Sequence, residues 1–135
     1  MATQNLTEIF ETIDRMKNKD DRIEFLKRHD SYPVKTVIQG ALDTRVHWDL
    51  PQGPVAYTPN PLVDQEGAIV KECRKWAMYS VQSNLPQARK LMQFTEMLER
   101  LDARDAVMVV MIKDKKFYKN ITKDVVDAAF PGLLG

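Results

Sequence analysis

The run Asp102-Ala103-Arg104-Asp105-Ala106-Val107-Met108-Val109-Val110-Met111-Ile112-Lys113-Asp114 decides the fold. Asp102 has a side chain suited to accept from the first free amides of a helix, and Asp105 places a negative charge in its first turn. The residues Ala106 to Ile112 are almost wholly apolar, so periodicity does not separate a buried helix from a central strand. Valine content favours a strand. The acidic start, the length and the lack of a partner strand elsewhere favour a helix, and the run is read as helical and buried from Val107 to Ile112. Lys113 to Asn120 then forms a lysine-rich turn interrupted by Phe117 and Tyr118, of which one is expected to face inward. Thr122 caps a further helix that buries Val125, Val126, Ala129 and Phe130, and Pro131-Gly132 ends it.

Upstream, Leu6, Ile9, Phe10, Ile13 and Met16 fall on one helix face. Asn5 caps it, with Glu8 three residues on in the manner of a capping box. A second helix carries Ile23, Phe25 and Leu26 inward. A third starts at Pro33 and carries Val34, Val37, Ile38 and Ala41, with Gly40 weakening its end. From Asp43 to Asp64 four prolines and Gly53 forbid a long helix or a central strand. Trp48, Val55 and Tyr57 give that loop something to bury, and Trp48 is expected to anchor it. Helix resumes near Gln65 with a stripe of Ile69, Cys73, Trp76, Ala77 and Ser80. Lys71, Arg74 and Lys75 lie off the stripe, towards water or a ligand. After Asn84 and Pro86 another helix runs through Arg100 with Leu91, Phe94, Leu98 and Leu101 as core, joined by Met92 and Met97. The expectation is an all-α, compact single domain over residues 1–135, with about seven short helices and a long Pro-rich loop at 43–64.

Composition narrows the function. Lys plus Arg exceed Asp plus Glu by one, so any nucleic-acid surface must come from local clustering. One cysteine excludes an intrachain disulfide framework and a cysteine-based zinc site. The start is polar, without the apolar region of a signal peptide, and no apolar run approaches the roughly 20 residues of a membrane span. His29 and His47 read as surface or hydrogen-bonded histidines rather than metal ligands, and Cys73 as a buried, inert thiol. No glycine-rich phosphate loop occurs. The expectation is a protein without catalytic residues, metal or cofactor.

Lys113, Lys115, Lys116, Lys119 and Lys123 cluster ahead of and within the Thr122 helix start, where lysines and free amides together suit a phosphate. The competing reading is a solvated turn whose aromatics face the core. The run Val110-Met111-Ile112-Lys113-Asp114, the turn, the capped helix and Phe130-Pro131-Gly132-Leu133-Leu134 resemble the end of the N-terminal DNA-binding domain of T-even phage ATP-dependent DNA ligases. Leu6-Thr7-Glu8-Ile9 and Arg22-Ile23-Glu24-Phe25-Leu26 resemble the opening of that domain, and Leu50-Pro51-Gln52-Gly53 falls at its Pro-Gly loop. The turn is about one residue longer here, and Asn120 stands where the ligase pattern has glycine. No Lys-x-Asp-Gly adenylylation motif occurs, so the resemblance implies a stand-alone DNA-binding domain rather than a ligase. The chain also resembles small proteins of T-even-like myophages, including cyanophages, which implies a phage protein acting in the host cytoplasm.

Two functions follow. One is a non-catalytic module that holds double-stranded DNA by its backbone and minor groove, accessory to phage replication or repair. Lys113, Lys115, Lys116, Lys119, Thr122 and Lys123 would carry the contact, joined by Lys71, Arg74 and Lys75 if these share the face, and Lys113 would sit at its edge. The other is a protein–protein interaction module, or a virion component, that engages a host or phage partner through Trp48 and Tyr57 of the Pro-rich loop.

Overall fold

The computed structural model describes residues 5–61 and 66–135. The last loop positions, 62–64, and Gln65, where the sequence places the next helix start, lie outside the described residues. Among the described residues the fold is all-α. It comprises α1 (Leu6–Arg15), α2 (Lys19–Arg28), α3 (Tyr32–Leu42), α4 (Glu66–Glu72), a 3-10 helix (Cys73–Tyr79), α5 (Gln87–Arg100), α6 (Ala103–Lys113) and α7 (Lys123–Ala129). The β feature among them is one isolated antiparallel bridge between Trp48 and Ser80.

Helix α6 is the axle. It packs against α1, α3 and α5, while α2 pairs with α7, and the 3-10 helix rests on α3 and α5. Ala106, Met108, Val109 and Ile112 of α6 are buried, as a helix at the centre of the core requires. Val107 departs from expectation: it is 65% exposed. Successive helical residues turn by about 100°, so a helix with neighbours on three sides still shows one face to water.

The starts of α1 and α6 meet. Asn5 Oδ1 accepts from the Thr7 amide at 2.8 Å, and its Nδ2 donates to Asp105 Oδ2 at 3.0 Å. Thr7 Oγ1 donates to Asp105 Oδ1 at 2.7 Å. Burial pushes the Asp105 carboxyl above the usual carboxylate range, and these donors pull it partly back. Glu8 does not close a capping box; its carboxylate pairs with Arg104, which also binds Asp102. Asp102 caps α6 through the Arg104 amide at 2.9 Å, and Thr122 Oγ1 accepts from the Val125 amide of α7 at 3.4 Å.

Three lysines hold segments without helix onto the helices. Lys113 Nζ, buried, donates to the carbonyls of Pro51 (2.7 Å) and Gly53 (2.8 Å) and to Asp114 Oδ1 (2.7 Å). The Gly53 amide returns a bond to Asp114 Oδ2 at 3.1 Å. Lys90 Nζ, also buried, binds Asp49 Oδ2 (2.7 Å) and the carbonyls of Ser80 (2.9 Å) and Ser83 (3.1 Å). Lys115 Nζ donates to the carbonyls of Gly40, Asp43 and Val46 at 2.8 to 3.1 Å. Farther on, the Thr58 amide donates to Glu99 Oε2 at 2.8 Å, so the Pro-rich loop passes from the end of α6 to the last turn of α5. An ammonium offers three donors, which matches a loop whose carbonyls have no ladder partners.

Trp48 lies half-buried at the head of that loop. Its indole N–H donates to the Gly40 carbonyl at 3.0 Å, and its ring packs against Trp76, Tyr79 and Phe94. Gly40 lets them approach closely: a Cβ would stand 3.0 Å from Ile112 Cγ2 and 3.1 Å from Trp48 Cζ2, tighter than ordinary contact. Gly40 is therefore the close-approach point of α3, two residues before its last residue. Trp48→Ala is expected to lower stability by roughly 3 kcal/mol in urea or thermal unfolding, as truncation of a large packed aromatic does. An unchanged melting temperature would show that the loop is held without it.

Two stripes differ from expectation. Cys73, Trp76 and Tyr79 are buried and spaced by three, because this segment is a 3-10 helix with three residues per turn. Ala77, expected inside, is exposed, and Ser80 lies at the bridge beyond the helix end. On α5, Met92 is 50% exposed and Leu91 half-buried, while Lys90 takes the buried position. On α2, Ile23 and Phe25 are half-buried and Leu26 is the core residue.

Candidate nucleic-acid interface

The lysine turn begins with the end of α6. The Lys115 amide bonds to the Ile112 carbonyl at 2.8 Å and the Lys116 amide to the Met111 carbonyl at 3.2 Å. This is the Schellman pattern, and its left-handed position falls on Lys115 at φ +60° rather than on glycine. A side chain there costs about 1–2 kcal/mol. The three carbonyl bonds made by Lys115 Nζ offset it.

The five lysines of the cluster thus have different fates. Lys113, expected at the edge of the surface, is buried in the loop clip. Lys115 is exposed, as expected, but it spends its ammonium on three carbonyls, and partial burial lowers its pKa, an effect the Asp43 charge opposes. Both belong to the scaffold because partly buried carbonyls without ladder partners take up their donors. Lys123 is exposed but bound to Asp127 Oδ2 at 2.7 Å, one turn along α7, and this bond raises its pKa. Lys116 and Lys119 are exposed and have no ion-pair partner among the described residues.

The turn that carries them is held from several sides. Phe117 and Tyr118 both pack on Phe10, at 5.2 and 6.0 Å between ring centres, so two aromatics face inward where one was expected. Burial raises the Tyr118 pKa strongly. Asn120 donates its amide to Asp14 Oδ1 (2.9 Å) and its Nδ2 to the Asp14 carbonyl (2.8 Å), tying the turn to α1. Ile121 is buried beneath it. The Pro51–Gly53 bend is clipped to the same helix end by Lys113 and Asp114. Gly53 takes φ +91°, where a side chain would be strained.

Lys71, Arg74 and Lys75 are exposed on and beyond α4. Lys75 approaches Glu72 at 3.9 Å, and the Arg74 guanidinium lies 6.0 Å from the centre of the Tyr32 ring. Tyr57 is half-buried against the core, and burial raises its pKa.

A concavity apart from the lysine turn was not legible in the sequence. Between α3 and the 3-10 helix lies a cleft of about 330 Å³, with Gly40, Trp48 and Trp76 in its floor and Tyr32 and Val81 in its walls. Arg45, His47 and Arg74 stand around it. The Cys73 thiol also lines it, but the thiol bonds to the Val70 carbonyl at 3.4 Å and burial pushes its pKa up. Its residues come from four separate stretches, so no local motif announces it. Among the described residues no three His, Cys, Asp or Glu side chains are placed to hold a metal ion, and no helix is long and apolar enough to cross a membrane.

A family described as a family of unknown function (DUF6433) matches residues 9–119 of the chain. No curated protein and no solved structure matches it significantly.

Proposed function

The chain belongs to that family of unknown function, and we propose that it is a non-catalytic module that binds duplex DNA through the phosphate backbone, without sequence preference. In the setting that the ligase resemblance implies, it is accessory to phage DNA replication or repair. The observation that carries this reading is the lysine turn as a prebuilt platform. Lys116 and Lys119, without an ion pair among the described residues, sit on a backbone already fastened to α1, α6 and the Pro51–Gly53 bend. A backbone already held in place need not be ordered when phosphates dock, and phosphate contacts position rather than read sequence. The Lys113–Asp114 pair and the Pro-Gly loop, singled out by the ligase resemblance sixty residues apart, meet in one clip, which supports the same reading.

The test replaces Lys116, Lys119 and Lys123 together with glutamine and keeps Lys115, whose ammonium supports the fold. Thermal unfolding should change little, since exposed lysines and surface ion pairs contribute little to stability. Duplex affinity, followed by fluorescence anisotropy across a salt series, should fall equally for unrelated sequences. The slope of log affinity against log salt should flatten by up to ~0.9 for each phosphate that the variant no longer neutralises. Absence of duplex binding by the unmodified protein at low salt would overturn the reading.

A further inference from the structure

We propose that the cleft between α3 and the 3-10 helix is a second binding site, for an acidic peptide segment that inserts one large apolar side chain. It is separate from the lysine turn and holds whether or not that turn binds DNA. The floor is aromatic: Trp48 and Trp76 meet edge to face with ring centres 5.6 Å apart. The bond from the Trp48 indole N–H to the Gly40 carbonyl fixes its ring, so the floor is preformed. The volume of about 330 Å³ is at the small end for a ligand pocket and suits one large side chain rather than a cofactor.

The walls select the rest of the ligand. Tyr32 is 56% exposed and Val81 55%, two of the large apolar side chains that the described surface leaves in water. They extend the apolar surface beyond the cleft mouth, where a chain running past an inserted side chain would lie. Among the residues lining the cleft are Arg45 and Arg74 and no carboxylate. Asp43 already holds Arg45 in a two-pronged pair, at 2.9 and 2.8 Å. Arg74 has no ion-pair partner among the described residues; its guanidinium rests near the Tyr32 ring. An apolar pit beside a guanidinium with no ion-pair partner among the described residues is complementary to an apolar residue flanked by Asp or Glu, and repels a basic segment. Aromatic floors with arginine beside them are also where interface energy concentrates.

The experiment uses the full chain, labelled with nitrogen-15, and the capped pentapeptide Glu-Glu-Trp-Glu-Glu, with Lys-Lys-Trp-Lys-Lys as the charge-reversed control. The acidic peptide should shift the Trp48 and Trp76 indole signals and the amides of Ala77 and Val81. The basic peptide should shift them at least about tenfold more weakly at equal concentration. Arg74→Glu should weaken the acidic peptide by about tenfold or more and narrow the gap between the two peptides. Ala77→Trp, a substitution at an exposed position, should block both peptides by filling the cleft, and an unchanged melting temperature would show the fold intact. Equal binding of the two peptides, no shift at millimolar peptide, or shifts confined to the lysine turn would each overturn the proposal. So would cleft shifts that grow with protein concentration alone, since a second copy would then be the occupant.

Discussion

Replacing Lys113 by methionine is expected to destabilise the protein by roughly 3–5 kcal/mol, the range seen when one partner of a buried ion pair is removed. The methionine would fill much of the volume, so packing is a small part of the effect. The larger part is electrostatic. Asp114 is nine-tenths covered, and without Lys113 its carboxylate faces the Pro51 and Gly53 carbonyls with no cation between them. The urea midpoint should fall, and the Gly53 amide, which donates to Asp114, should lose hydrogen-exchange protection well before the α6 amides do. Lys113→Arg should not rescue it, because a planar guanidinium cannot aim three donors at targets arranged around a point charge. A loss under about 1 kcal/mol, the value of a surface pair, would show that the clip contributes nothing beyond its geometry.

Phe10→Ala should cost a similar amount, roughly 3–5 kcal/mol, with a second consequence at a distance. Phe10 is fully buried and is the surface on which both Phe117 and Tyr118 rest. Truncation opens a cavity under the lysine turn. Asn120 and its bonds to Asp14 would then hold the turn alone on that side. Duplex affinity should therefore fall even under conditions where the variant is still folded, although Phe10 itself touches no solvent. A double-mutant cycle of Phe10→Ala with Phe117→Ala should show coupling of about 0.5–1.5 kcal/mol, as an edge-to-face pair does. Additive losses would mean that the turn is held without Phe10. Equal duplex affinity in the folded variant would mean that the rigidity of the platform is irrelevant to binding.

The starts of helices were legible in the sequence. An N-cap acts across two or three residues, so Asn5, Asp102 and Thr122 announce their helices whatever surrounds them, and each side chain accepts from its own helix. The stop at Pro131-Gly132 is local in the same sense, with Gly132 at φ +84°. The all-α class followed from those signals and from the prolines that keep residues 43–61 out of helix.

What each lysine does was not legible. Lys113, Lys115, Lys116 and Lys119 fall within one seven-residue stretch. Yet one is buried, one is exposed but spent on three carbonyls, and two are exposed without an ion pair among the described residues. The carbonyls that claim Lys113 and Lys115 lie sixty to seventy-five residues away. Lys90 looks like an ordinary polar position in its local sequence for the same reason. The Trp48–Trp76 cleft exists because Gly40 lets α3, α6 and Trp48 approach, a fact about three segments rather than one. Local backbone chemistry by itself determined where this chain is helical. Only tertiary structure decided which charges are scaffold and which are surface, because a carbonyl without a backbone partner claims whichever ammonium the packing brings within reach.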